Sequence, residues 1–322
     1  MNSQTTIIIS PRDRFSVLVK CVRNVMHQTT VPVDIILAAG GVPEPIRKRL
    51  ESEFSGKVKF IFRDEFLNAS VLRNIALRET KTETAVCIDS DVFPRPGWLE
   101  PLLECYRETG AVLISPVVLD RQNLIHTAGN ECYVTEGHGK KYGMAELHYA
   151  NLPVSQTTNI KRREMDYAEV HCHFVNVEKA LNLGIYDEHF REGMDFDSGM
   201  TVRKAGEKVI LEPRSMVYLH LPEVLKDMVD LEFFIWKWDL NEALRGFEYF
   251  EKKWGIDMIG RSGIREYIIM LNHRVGFCTR LWPSAFSMSV DGSYLRAKKT
   301  AIQIFESWRG FKNWVVGFHK VA

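Results

Sequence analysis

Three observations predict an α/β fold with a mainly parallel sheet flanked by helices. The chain has 322 residues, 45% hydrophobic and 26% charged, an ordinary globular composition long enough for a large core. Short runs rich in Val and Ile recur through its first third, bounded by turn residues. Segments with helical spacing of apolar residues lie between those runs. A βα alternation of this kind gives parallel strands covered on both faces, and such sheets bind ligands beyond the carboxyl ends of their strands.

In order, strands are predicted at residues 5–9, 33–38, 58–62, 84–89 and 111–116, with helices at about 14–26, 45–55, 70–78 and 98–108. From about 120 to 164 the sequence turns polar and Gly-containing, with EGHGKKYG and NLPVSQTTN, and reads as a long loop with a candidate lid at GHGKKYG. A strand is predicted again at 170–177, a helix at about 195–205 and a last strand at 216–220. Beyond Pro222 the chain becomes helical and aromatic, with FFIWKW and FEYFEKKWG. The expected organisation is therefore a catalytic unit at 1–221, with a nucleotide part to about 116 and an acceptor part from about 117, followed by a helical extension at 222–322.

The 42 Lys+Arg and 41 Asp+Glu leave a formal charge of +1, which argues against a chain-wide surface for nucleic acid. The six cysteines form no CxxC pair, so neither a disulfide framework nor a zinc knuckle is expected, and reduced thiols fit a cytoplasmic protein. The opening MNSQTTIIIS reads as a strand, not a secretory signal, and no run approaches the length of a membrane span. In residues 294–322, Arg296, Lys298, Lys299, Arg309, Lys312 and Lys320 interleave with Trp308, Phe311, Trp314 and Phe318. That pattern suits either peripheral contact with the inner face of a membrane or a helix that buries its aromatics on the protein.

The strongest local signal is Cys87-Ile88-Asp89-Ser90-Asp91, an apolar strand ending in two carboxylates one residue apart. Like charges so close repel unless a cation joins them, and hard oxygen ligands suit Mg²⁺ or Mn²⁺. The same acids also suit a capped turn. Asp195 and Asp197 open a predicted helix, where carboxylates favour the N-terminus electrostatically. His171 and His173 share one side of a strand. They suit a structural or acceptor-facing place better than a metal, because the local sequence supplies no third ligand.

Several motifs in order resemble the inverting nucleotide-sugar glycosyltransferases of the GT-A fold, family 2, from about residue 6 to 254. They are IIISPRDRFSVLVKCVRNVMHQT, Asn68-Ala69-Ser70-Val71-Leu72-Arg73-Asn74, IDSDVFPRPGWLE, HFVNVEKALNLGIYDEHF, Met194-Asp195-Phe196-Asp197 and the His220 of VYLH. The resemblance implies in-line displacement at an anomeric carbon. Asp91 and His220 would hold Mn²⁺ or Mg²⁺ on the donor diphosphate, with Asp89 at the ribose or a metal-bound water. Pro11, Arg14, Arg73 and Ser90 would lie at the nucleotide. Asp195 would be the general base, with His173 and Asp197 on the acceptor side. The implied partners are a nucleotide-sugar, UDP by default, and a glycan or lipid-linked acceptor of the kind used in polysaccharide biosynthesis.

Two departures stand out. Met194 replaces an expected Glu, and Ala38-Ala39 stand where the family usually has an acid that reads the nucleobase. Ile36-Leu37-Ala38-Ala39-Gly40-Gly41 also resembles the phosphate loop of sugar nucleotidyltransferases, although a full strand and helix precede it. A degenerate transferase-like module that binds glycans or a partner is the non-enzymatic alternative.

Overall fold

The β-branched runs form a sheet whose two faces alternate along each strand. The computed structural model describes residues 4–257 apart from 13, 138, 192–193, 221–226 and 238. The strands are β1 (Thr5–Ser10), β2 (Val33–Gly40), β3 (Lys59–Arg63), β4 (Thr84–Asp89), β5 (Val92–Pro94), β6 (Leu113–Leu119), β7 (Ile125–Thr127), β8 (Asn130–Gly137), β9 (Lys140–Leu147), β10 (Arg163–Glu164), β11 (Cys172–Asn176) and β12 (Val209–Leu219). The helices are α1 (Leu18–Gln28), α2 (Glu44–Phe54), α3 (Ala69–Arg78), α4 (Leu99–Thr109), α5 (Val177–Leu183), α6 (Met194–Lys204), α7 (Leu231–Lys237) and α8 (Leu240–Trp254).

The sheet runs β10-β12-β6-β11-β4-β1-β2-β3, with β5 added to β12 and β7 to β6. The neighbours β3, β2, β1 and β4 are parallel, as are β6 and β12, whereas β11 is antiparallel to both β4 and β6. Alternation of side chains sends Ile7, Ile9, Val86 and Ile88 to one face, under α1, α2 and α4, and Ile8, Ala85 and Cys87 to the other, under α3, α5 and α6. Asn68 and Asn176 start α3 and α5 by accepting the backbone N–H of Val71 and Lys179. Gly184 ends α5 at φ +64°, a left-handed angle that glycine adopts without steric cost.

The structure corrects the sequence reading at three places. The helix expected from about residue 14 starts at Leu18, because the Asp230 carboxylate takes the backbone N–H groups of Phe15 (2.6 Å) and Ser16 (2.9 Å) and holds them in a turn. The segment at 120–164 is not a plain loop. It carries β7, the hairpin β8–β9, a 3₁₀ turn at Val154–Asn159 and β10, and GHGKKYG falls at the hairpin bend. The last strand begins at Val209, seven residues earlier than expected, with a register shift between Glu212 and Met216 that accommodates Pro213.

The described part of the expected extension packs directly on the sheet unit. Phe233 stacks on Phe15 at 4.5 Å, and the Arg191 guanidinium lies 4.0 Å from the centre of the Trp236 ring. A third apolar cluster joins Phe190, Met194 and Phe196 to Phe234, Phe247 and Phe250. The expected boundary at 222 and the basic aromatic segment at 294–322 lie outside the described residues. Among the described residues no helix is long and apolar enough to cross a membrane.

Candidate functional site

The site is built where β1 and β4 end side by side, with Ser10 opposite Asp89 in the register. Ser90 ties the two ends together. Its backbone N–H donates to Ser10 O at 2.9 Å, and its hydroxyl lies 3.4 Å from Arg12 N and 3.5 Å from Arg14 O. The loop that carries Pro11 and Arg14 is thereby fixed over the Asp-Ser-Asp turn. Asp230 and Phe233 brace the same loop from behind through residues 15 and 16.

The two acids of this turn have different surroundings. Asp89 is 3% exposed, and its Oδ1 accepts from Arg73 Nη2 at 2.8 Å. Arg73 is itself fully buried and also donates to Val170 O at 2.7 Å. Arg73 thus takes a positioning role toward Asp89, one of whose oxygens is engaged in that ion pair. Asp91, at 1% exposure, faces Arg12 Nη1 at 3.6 Å.

His220 is brought to Asp91 by the pairing of β12 with β5. Its backbone N–H donates to Asp91 O at 2.9 Å, and its ring lies against Phe93 at 4.4 Å. Burial, with Arg121 and Lys20 nearby, pushes its pKa down to about 4, so the imidazole is neutral near pH 7. The two residues meet through their backbones, and a carboxylate with a neutral imidazole offers donor types that fit a divalent cation.

The first turn of α6 approaches the same region. Gly199 lets α6 pack tightly, since a Cβ there would lie 2.4 Å from Tyr167 Cβ and 2.5 Å from Asp166 O. Met194 Sδ lies 3.3 Å from Arg73 Nη1, so one guanidinium touches both the Asp89 end of β4 and the start of α6. The side chain that departs from the family pattern thus packs directly on the arginine that holds Asp89. Asp195, next along the chain, is half-buried. Burial first, then the Asp195 and Asp166 charges, push the neighbouring Cys132 thiol up to about 12.

Two expected acceptor-side residues lie elsewhere. Asp197 is fully buried and binds Lys253 Nζ at 2.7 Å and Trp254 Nε1 at 2.8 Å, so it anchors α8. His173 is 3% exposed, pairs with Cys87 across β11 and β4, and shares a hydrogen bond with the Tyr186 hydroxyl in the interior. Burial, then the Arg73 charge, lower its pKa to about 3.

Sequence reasoning did not single out Arg12, Asp230, His126 or Glu169. The first was legible as the basic residue of Pro-Arg-Asp-Arg after β1, whereas the others come from distant or loop-like segments. His126, Glu169 and His171 converge so that one ligand atom of each lies within 4.8 Å of the others.

The family model of Glycosyl transferase family 2 matches residues 6–167. The pre-mycofactocin glycosyltransferases of Mycobacterium tuberculosis, strains CDC 1551 / Oshkosh and ATCC 25618 / H37Rv, are each 24% identical over 146 residues, 45% of this chain and 28% of theirs. A crystal structure of GalNAc-T7 with UDP, GalNAc and Mn²⁺ superposes with a TM-score of 0.53 at 14% identity, covering 88% of this chain and 58% of that one. The chain thus spans under a third of its curated relatives' length, and the structural match shows the shared GT-A fold. With half of its residues matched by the family model and the expected sheet in place, the chain belongs to glycosyl transferase family 2.

Proposed function

We propose that the protein transfers a sugar from a nucleotide-diphosphate donor, UDP by preference, to a hydroxyl of a glycan or lipid-linked acceptor, with inversion at the anomeric carbon. The observation that carries this reading is the link through Arg73, which touches Asp89 at the end of β4 and Met194 at the start of α6 and so supports a shared site there. The UDP and Mn²⁺ held by the similar GalNAc-T7 structure support the choice of donor and ion.

Pro11, Arg14 and Ser90 lie on the fixed loop and turn that would receive the nucleotide. Asp91 and His220 would hold Mn²⁺ or Mg²⁺, which supplies charge neutralisation on the departing diphosphate. Asp195 accepts the proton of the acceptor hydroxyl while its oxygen attacks the anomeric carbon. The bond from that carbon to the diphosphate oxygen breaks on the opposite side, and the nucleoside diphosphate carries away the electron pair. Arg73 holds Asp89 in an ion pair and places the 170–171 segment beside it.

The nucleotidyltransferase alternative has little support. Ala38 and Ala39 are fully buried within β2, and a Cβ on Gly40 would lie 2.3 Å from Glu65 O. The segment is packed strand, not an open phosphate loop. The reading as a binding module fails if turnover is seen. Incubation with a panel of UDP-sugars and Mn²⁺ should release UDP and give a product of opposite anomeric configuration by NMR. Retained configuration, or pyrophosphate formation from a nucleoside triphosphate, would overturn the proposal.

A further inference from the structure

The donor end of β4 has a second cluster of ligating side chains beside it, with chemistry different from that of Asp91. His126 on β7 meets Glu169 and His171 of the segment leading into β11. Glu169 is prearranged: its Oε2 accepts the His171 backbone N–H at 2.9 Å, which turns Oε1 toward both imidazoles. That oxygen lies 3.9 Å from His126 Nε2 and contacts His171 Nδ1. The rings of His126 and His171 stand edge to face at 5.9 Å.

Two features separate this cluster from an ordinary core hydrogen bond. His171 is 5% exposed, and its Nε2 is buried with no hydrogen-bond partner, which leaves an imidazole nitrogen at an energetic cost. The His126 side chain is 27% exposed, so an ion has a path in.

We propose that His126, Glu169 and His171 form a second metal site, selective for a borderline divalent cation of the Zn²⁺ class and separate from the site at Asp91 and His220. Two imidazoles and one carboxylate suit Zn²⁺, whereas an oxygen-rich set suits Mg²⁺ or Mn²⁺. Ligand atoms within 4.8 Å of one another need only small rotamer changes to reach bonds of about 2.0–2.2 Å. Three protein ligands leave a further position for water or a hydroxyl. The site adjoins the donor end, because His171 O accepts the Asp89 N–H at 2.8 Å.

The test uses the full chain, stripped with chelator and titrated without nucleotide. Co²⁺ serves as the spectroscopic stand-in for Zn²⁺. The wild-type chain should bind one Co²⁺ with the intense visible absorption of a four-coordinate site, displaced by Zn²⁺ but not by equimolar Mn²⁺. Asp91→Ala should retain that spectrum, whereas Glu169→Gln and His126→Ala should weaken binding by about tenfold or more. His126→Ala changes a partly exposed side chain, so it decides the question if Glu169→Gln fails to fold. Absence of the visible bands in the wild type, their loss in Asp91→Ala, or their persistence at unchanged affinity in His126→Ala would overturn the proposal. The Asp91→Ala arm keeps this result distinct from a failure of the donor-site reading.

Discussion

At the end of β4 and at the first turn of α6 the chain repeats one device, two aspartates separated by one residue. At each place one acid is tied into the fold. Asp89 is held by Arg73, and Asp197 by Lys253 and Trp254. The other member is set differently, Asp91 facing Arg12 of the fixed loop and Asp195 half-buried at the start of α6. In α6 the division follows from helix geometry, since positions two apart lie about 200° around the axis and face opposite ways. At β4 it follows from the turn at Ser90, which breaks strand alternation and re-aims Asp91. Spacing alone therefore identifies a pair of acids, and packing decides which partner each member takes.

Substitutions that separate the members of each pair test this comparison. The largest effect is expected at α6. Asp195→Asn should lower kcat by about 10²–10⁴-fold, the range for a general base, with donor binding and melting temperature little changed. Asp197→Asn should show the converse, with loss in the melt and near-normal turnover per folded molecule. At β4, Asp89→Ala leaves the buried Arg73 guanidinium without its carboxylate and should cost about 3–5 kcal/mol in urea unfolding. A cost under about 1 kcal/mol there would break the assignment of Asp89 to structure.

Trp254→Phe removes one hydrogen bond to the buried Asp197 carboxylate and should cost about 1.5–3 kcal/mol by the same measurement. The smallest effect is a pH dependence at the docking of α8. Burial pushes Asp187 up, but hydrogen bonds from Lys253 and His189 outweigh it and hold the carboxyl at about 2. Its folded pKa lies below the unfolded value of about 3.9. The contribution is thus present above about pH 4 and is lost as pH falls toward about 2. Asp187→Asn should flatten the stability profile in that window, and an unaltered profile would remove Asp187 from the account.

The strand and helix alternation through residue 119 was legible because each run carries its own periodicity, and predicted ends fell within a few residues of β1 to β4, β6 and α1 to α4, with only the short β5 unforeseen. The hairpin β8–β9 was not legible. Its side chains at Tyr133 and Val134 remain 43% and 51% exposed, so neither face shows the apolar alternation that marks a half-buried strand. β12 was half hidden because Glu212-Pro213-Arg214 reads as a turn, yet the buried Glu212 is paired with Arg162 and Arg214. At the site, Asp91, His220 and Asp195 carried visible motifs. The commitments of Arg73, Asp197 and His173 were invisible, since each partner lies at a distance only the fold closes, as with Lys253, 56 residues beyond Asp197.

The most direct test of the division between structural and reactive acids is calorimetric titration with UDP, with Mn²⁺ and with chelator, on the wild type, Asp91→Asn and Asp195→Asn. The account predicts Mn²⁺-dependent binding in the wild type, loss in Asp91→Asn and retention in Asp195→Asn. Binding that ignores Mn²⁺, or that survives in Asp91→Asn, would contradict it.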